Sequence, residues 1–172
     1  MKKILMWVVI VLVGFVAIVA VASRVGRQQE ITVAPNTVNV GQPVTVGEIK
    51  WTAVNPETKS EILLDNDPSK AIKADGMFVI IDLTAQLTGE ESAIVDSSQF
   101  AILDSKGRIF KAAAKFGVYS DLDPIFLKQV TPKAPATGKV IFDVPADARG
   151  LKLEIDDLRF KSRDKGYVDL GI

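Results

Sequence analysis

The residues best suited to chemistry in this chain are closely spaced carboxylates: Asp65-Asn66-Asp67, Asp121 with Asp123, and Asp156-Asp157. Such groups can hold a divalent cation. Two of them at a defined separation across a cleft can also supply the acid and the nucleophile or base of glycoside hydrolysis. Neither chemistry is specified. Asp65-Asn66-Asp67 lacks the Gly at position six and the Glu at position twelve that an EF-hand loop needs, and Asx residues populate turns by bonding nearby backbone N–H groups. Asp121 and Asp123, ahead of Pro124, have the types expected at the start of a helix, and Asp156-Asp157 is expected at a solvated strand end. Ser60, Ser69, Ser105 and Ser162 each lie near a Lys, but a Ser–Lys dyad needs a desolvated Lys, and all four stand in turn-like polar sequence. The chain has no His and no Cys. His- or Cys-dependent catalysis, Cys/His zinc sites, His-ligated haem and disulfides are therefore excluded. No catalytic residue, metal ligand or cofactor site is assigned.

A different kind of candidate lies in Lys115–Leu127, KFGVYSDLDPIFL, where Phe116, Tyr119, Ile125 and Phe126 crowd a segment without strand periodicity. Exposed, these four side chains would form an apolar partner-binding patch. Folded over the end of a sheet, they would fill its core instead. The sequence leaves both readings open.

The elements that must position these residues divide the chain in three. Ile4–Ala22 reads ILMWVVIVLVGFVAIVAVA, 19 residues without a charged or polar side chain. As a helix it would span roughly 28 Å, close to the hydrocarbon thickness of a bilayer. Residues 1–22 are therefore expected to be a single transmembrane signal-anchor, binding the chain to the cytoplasmic membrane. Lys2 and Lys3 form a basic start and Ala20-Val21-Ala22 fits a signal-peptidase site, so cleavage after Ala22 and secretion is the alternative. With no Cys, lipid attachment through a lipobox is excluded. Lys2 and Lys3 on one side and Arg24 and Arg27 on the other leave the positive-inside count nearly balanced. The very short basic N-terminus ahead of a β-rich region favours a C-terminal domain outside the cytoplasm.

The whole chain carries 21 basic and 21 acidic residues. Without residues 1–30 it keeps 17 basic and 20 acidic ones, a net charge of −3 with no basic stripe, which argues against nucleic acid as a partner. Residues 23–43 read as a stalk, although Ile31–Val33 could equally be a first edge strand. Residues 44–172 read as strands. Glu48–Ala53 alternates with period two. In Met77–Leu87 one face carries Met77, Val79, Ile81, Leu83, Ala85 and Leu87, while the other starts apolar at Phe78 and Ile80 and then turns polar. That strand is expected to be central and covered on both sides at its start. Gln99–Leu103 alternates again, Asp104-Ser105-Lys106-Gly107 is a turn, and Arg108–Lys111 returns as its hairpin partner. Lys139–Val144, Leu151–Ile155 and Tyr167–Leu170 follow as strands. Pro68–Ala74 and Ser120–Leu127 read as short helical or irregular connections. Trp51 is expected between two sheets. Many short strands separated by Gly, Pro and Asp turns predict an all-β, immunoglobulin-like β-sandwich preceded by one transmembrane helix.

The order of these pieces resembles an uncharacterised bacterial family of exported, membrane- or lipid-anchored immunoglobulin-like domains. The residues that carry the likeness are Val46-Gly47, Gly76–Asp82, Phe100–Gly107, Gly138–Pro145 and Tyr167–Leu170, covering roughly Val44 to Ile172. The family is similar to secreted mycobacterial immunoglobulin-like antigens and is sometimes labelled after telomeric repeat-binding factor 2. The resemblance implies no activity and no catalytic residue. The expected function is that of an extracytoplasmic binding or assembly module for an unknown protein or envelope ligand, with a carboxylate-dependent hydrolase as the lesser alternative.

Overall fold

A computed structural model describes residues 36–65, 67–119, 122–157 and 164–172. The transmembrane segment expected at 1–22, most of the expected stalk and the edge-strand alternative at Ile31–Val33 lie outside these residues. Among the described residues no helix is long and apolar enough to cross a membrane.

Among the described residues there are eleven strands: β1 (Thr37–Asn39), β2 (Pro43–Val46), β3 (Ile49–Leu64), β4 (Asp67–Leu87), β5 (Ala93–Ile94), β6 (Phe100–Leu103), β7 (Ile109–Lys111), β8 (Gln129–Val130), β9 (Ala136–Val144), β10 (Lys152–Asp156) and β11 (Lys165–Asp169). They form a four-stranded sheet in the order β2-β3-β4-β9, a five-stranded sheet in the order β1-β11-β10-β6-β7, and a small β5-β8 pair. The two larger sheets make an all-β sandwich. Its core takes Trp51, Val79, Ile81, Leu83, Val140 and Phe142 from one sheet and Phe100, Ile102, Leu153, Ile155 and Val168 from the other. Trp51 meets Phe100 edge to face at 5.3 Å, an arrangement that matches the positive rim of one ring to the negative face of its neighbour.

The sandwich begins earlier than the sequence indicates. Thr37–Asn39, inside the expected stalk, is a strand that runs parallel to β11 with Val38 opposite Val168. Asn36, at φ 76, ties the two sheets together. Its side-chain N–H groups donate to the carbonyl of Thr45 at 3.2 Å and to that of Lys165 at 3.3 Å. Its own carbonyl accepts from Tyr167 N–H.

Pro68–Ala74 is also a correction: it is not helical or irregular but the first part of β4, paired with β3 through Ile62↔Ile72 and Leu63↔Ala71. The β3–β4 hairpin outruns both neighbours. β2 pairs with β3 only as far as Thr52, and β9 pairs with β4 only from Met77 onward. Residues 60–65 and 67–76 therefore form a two-stranded arm. A register shift at Val54/Glu57 before the arm, and shifts at Lys59/Glu61 and Leu63/Leu64 along it, bend the hairpin, as bulges do. At the first of these Asn55 takes φ 50 and donates from its side chain to Asp82 at 3.0 Å. Pro68 is tolerated because no further strand is bonded to the arm there.

Candidate functional site

The four side chains singled out as a partner-binding patch are used by the fold. Phe116 is 1% exposed and Ile125 0%, Phe126 is 8% exposed, and Tyr119 is partly buried. They also divide between two cores. Phe116 and Tyr119 join Ile62, Phe78, Ile80 and Ile141 in a second apolar cluster on the outer face of the four-stranded sheet, with Ile72 and Ala74 of the arm packed against it. Phe116 stands edge to face on Phe78 at 5.3 Å and lies 6.2 Å from Tyr119. This cluster is the cover that the apolar side of β4 requires at Phe78 and Ile80. Ile125 and Phe126 enter the main core instead, Phe126 lying 6.2 Å from Phe100.

The backbone places this segment. A 3₁₀ turn at Ala114–Val118 follows Ala113, whose N–H donates to Ile141 at 2.8 Å. Farther along, Ile125 N–H donates to Lys139 O at 3.0 Å, and Lys139 N–H donates to Asp123 O at 2.8 Å. The segment thereby covers the outer edge of β9, which would otherwise present unpaired backbone groups. Gly138 permits the approach, because a Cβ there would lie 2.7 Å from Ile125 N and 2.8 Å from Asp123 O. The side chain turned outward is the neighbour, Leu127, at 77% exposure and φ 63. Its N–H donates to Val95 O at 2.8 Å, beside β5, where Ile94 is 66% exposed. Sequence reading passed over both residues, since nothing local distinguishes an outward Leu from an inward one.

The carboxylates are engaged in turns and ion pairs. Asp67 accepts from the N–H and the hydroxyl of Ser69, both at 2.8 Å, and these bonds hold its carboxyl below the ordinary range. Asp65, at the other side of the arm's tip, pairs with Lys70 at 2.5 Å. Asp123 pairs with Lys128. Asp156 lies 3.4 Å from Lys165, which bonds Glu154 at 2.8 Å; that bond first, and then the surrounding carboxylates, hold the Lys165 ammonium above its ordinary value. Asp121 and Ser162 lie outside the described residues. Ser60 and Ser105 are exposed, and Lys70 and Lys106 beside the serines are paired to Asp65 and Asp147. Among the described residues no group of three or more acidic side chains converges in a way that could hold a metal ion.

The best-built polar cluster is structural. Asp104, with a fully buried side chain, accepts from the N–H groups of Lys106 and Arg108, both at 2.9 Å, and from the Arg108 guanidinium at 2.7 Å. Burial pushes its carboxyl up, but these bonds outweigh it and leave it below its ordinary value. Asp147 then accepts from Lys106 at 2.5 Å and Arg108 at 3.0 Å, which lowers its pKa to about 2. The β6–β7 turn is thus fastened to the loop after β9. Asp82 sits on the outer face of β4. Burial raises its pKa, yet hydrogen bonds from Lys139 and Asn55 bring it below the ordinary value. Among the described residues are open grooves of about 450 Å³. One lies along the arm against Ile80 and Leu122, and another lies beside Ile94, Asp96 and Gln99.

Solved structures with the same kind of fold come from several bacteria. The yjhA protein of Bacillus subtilis superposes with a TM-score of 0.56 at 14% identity, over 78% of this chain and 98% of its own. MPT63, a secreted protein of Mycobacterium tuberculosis, superposes with a TM-score of 0.55 at 14% identity, over 80% and 99%. A putative lipoprotein of B. subtilis, ycdA, gives 0.55 at 12% identity over 78% of this chain and 40% of that one. At such identities the likeness shows the β-sandwich fold alone. No curated protein matches the chain. Residues 38–165, nearly the whole described sandwich from β1 into β11, match one family, and on that match the chain belongs to DUF4352, a domain of unknown function.

Proposed function

We propose that this chain is a membrane-anchored, extracytoplasmic binding or assembly module that acts through its surface and not by catalysis. The observation that carries the reading is the arm between Ser60 and Gly76, which runs past both neighbouring strands and is exposed along most of its outer side. A two-stranded extension of this kind offers recognition surface on its outer side, while Ile62, Ile72 and Ala74 on its inner side pack into the second apolar cluster. Leu127 and Ile94 supply outward apolar side chains elsewhere on the sandwich.

Two further points support the location. Ile4–Ala22 has the length and composition of a bilayer-spanning helix. Proteins sharing the fold include a secreted protein and a putative lipoprotein. A partner would be an extracytoplasmic protein or an envelope ligand. DNA is not among the proposed partners, because the chain after residue 30 has a net charge of −3 and no basic stripe. The label after telomeric repeat-binding factor 2 therefore has no physical support.

Protease shaving of intact cells, with intact-mass analysis and a photo-crosslinker at Lys59 or Leu127, tests this reading. Expected are a full-length membrane species, a domain digested from outside, and a crosslinked envelope partner. A released species beginning at Ser23 would replace the anchor with secretion. Protection of the domain in intact cells, with digestion after lysis, would overturn the outward placement.

A further inference from the structure

The chain contains a single Asp-Gly pair, Asp75-Gly76, and no Asn-Gly pair. An aspartyl residue followed by Gly is the sequence most open to cyclisation, since no Cβ shields the attacking nitrogen and the backbone turns freely. The pair stands at the root of the arm, one residue before β4 joins β9 through Met77↔Val144. Gly76 cannot be exchanged for a bulkier residue, because a Cβ would lie 2.3 Å from Val144 O and 2.8 Å from Pro145 Cα. Close backbone packing therefore fixes the labile dipeptide at this position.

Across the sheet, Asp143 of β9 receives both amides. Asp75 N–H donates to one carboxylate oxygen at 3.0 Å and Gly76 N–H to the other at 3.2 Å. Cyclisation begins when Gly76 N loses its proton. The nitrogen then attacks Cγ of the Asp75 carboxyl in its protonated form, a C–N bond forms, the Cγ–OH bond breaks, and the hydroxide takes up the proton lost from nitrogen and leaves as water. Hydrolysis of the resulting succinimide adds one water back. Opening at the former main-chain carbonyl leaves a β-linked isoaspartate with no net change in mass. A carboxylate that accepts the Gly76 N–H opposes the first event, because it holds the proton and sets a negative charge beside the anion that would form. It also fixes the nitrogen in the strand.

We propose that Asp75-Gly76 is the isoaspartate-forming bond of this protein and that Asp143 is the positioning residue that suppresses the reaction in the folded state. Conversion would insert one methylene into the backbone where the arm leaves the sheet, so the damage would fall on the register that holds the arm.

The test follows isoaspartate at residue 75 in the full chain over weeks at pH 7.4 and 37 °C. It is read by isoaspartyl methyltransferase labelling and fragmentation of the peptide, with Asp75→Glu as the blank. Asp143→Asn and Asp143→Ala are expected to form it about tenfold faster than the wild type, the scale of one hydrogen bond to a charged acceptor. Hydrogen exchange supplies the readout that a merely structural role would not move. The Gly76 amide exchanges faster in Asp143→Asn while the amides of Val79 and Ile81 keep their protection. If both variants open the sheet, the decision passes to wild type against wild type unfolded in urea, where the folded chain must react about tenfold more slowly. Equal rates in wild type and sheet-intact variants, equal rates in folded and unfolded wild type, or faster conversion at another aspartate would each overturn the proposal.

Discussion

Truncating Phe116 separates a surface patch from a core. Its ring is nearly inaccessible, edge to face on Phe78 at 5.3 Å and 6.2 Å from Tyr119. Phe→Ala changes in cores cost about 3–5 kcal/mol. The lower end applies here, because the outer-face cluster is small and its 3₁₀ cover can settle partway into the space. The expected loss is then about 3 kcal/mol, of which the aromatic pair accounts for about 1 kcal/mol. With a urea m-value of about 2 kcal/mol/M for a domain of this size, the unfolding midpoint of Phe116→Ala should fall by about 1.5 M. A double-mutant cycle of Phe78→Leu and Phe116→Leu should return a coupling of about 0.5–1.5 kcal/mol. Had Phe116 been an exposed contact residue, truncation would have cost under about 0.5 kcal/mol. A midpoint shift below about 0.3 M would refute the second core and restore the patch reading.

The remaining expectations concern strain and acid. Leu127 holds φ 63 with an exposed side chain, so Leu127→Gly should raise stability by up to about 1 kcal/mol in urea unfolding. If Leu127 touches the partner, the same variant should weaken crosslinking while folding better. Asp82, Asp104 and Asp147 have folded pKa values below their ordinary 3.8. Their stabilisation is complete above that value and is lost as pH falls through the folded values, near 2 for Asp147. The melting temperature should therefore be flat from pH 7 to 5 and drop between pH 4 and pH 2, with a shallower acid slope in Asp147→Asn. A slope identical to wild type would remove Asp147 from the account.

What was readable in the sequence was whatever the local alternation encodes. Met77–Leu87 announces its inward face and the apolar start of its outer face, and both are occupied as that pattern requires. The Asp104–Gly107 turn is equally legible, since Asp104 caps it with bonds to residues two and four positions on. The start of the sandwich was not legible, because Thr37–Asn39 is a strand only by virtue of β11, some 130 residues away. Pro68–Ala74 was missed for a related reason. A two-stranded arm with exposed outer edges needs few apolar residues, and only Ile72 and Ala74 on this stretch face the cluster. The segment 115–127 was identified as apolar and unusual, but whether such a segment covers a sheet or faces solvent depends on whether another surface needs covering.

That need can be traced to β4, and it shapes what is left for binding. Phe78 and Ile80 make the outer face of the sheet apolar, so the fold draws Ala113, Phe116, Tyr119 and Leu122 and the inner side of the arm over them. The aromatic side chains best suited to anchoring a partner are thereby spent on closing the molecule. The arm left outside is polar, with four acidic residues and two lysines between Ser60 and Gly76. Recognition by such a surface draws on charge and backbone hydrogen bonding more than on buried area, and charge complementarity acts on the rate and selectivity of encounter more than on its strength. Under the proposed function, an arm of this kind suits many weak contacts better than one permanent interface. Its placement depends on the junction where Gly76 passes Val144 and Asp143 receives two amides, so the arm is held from its root and not from its tip.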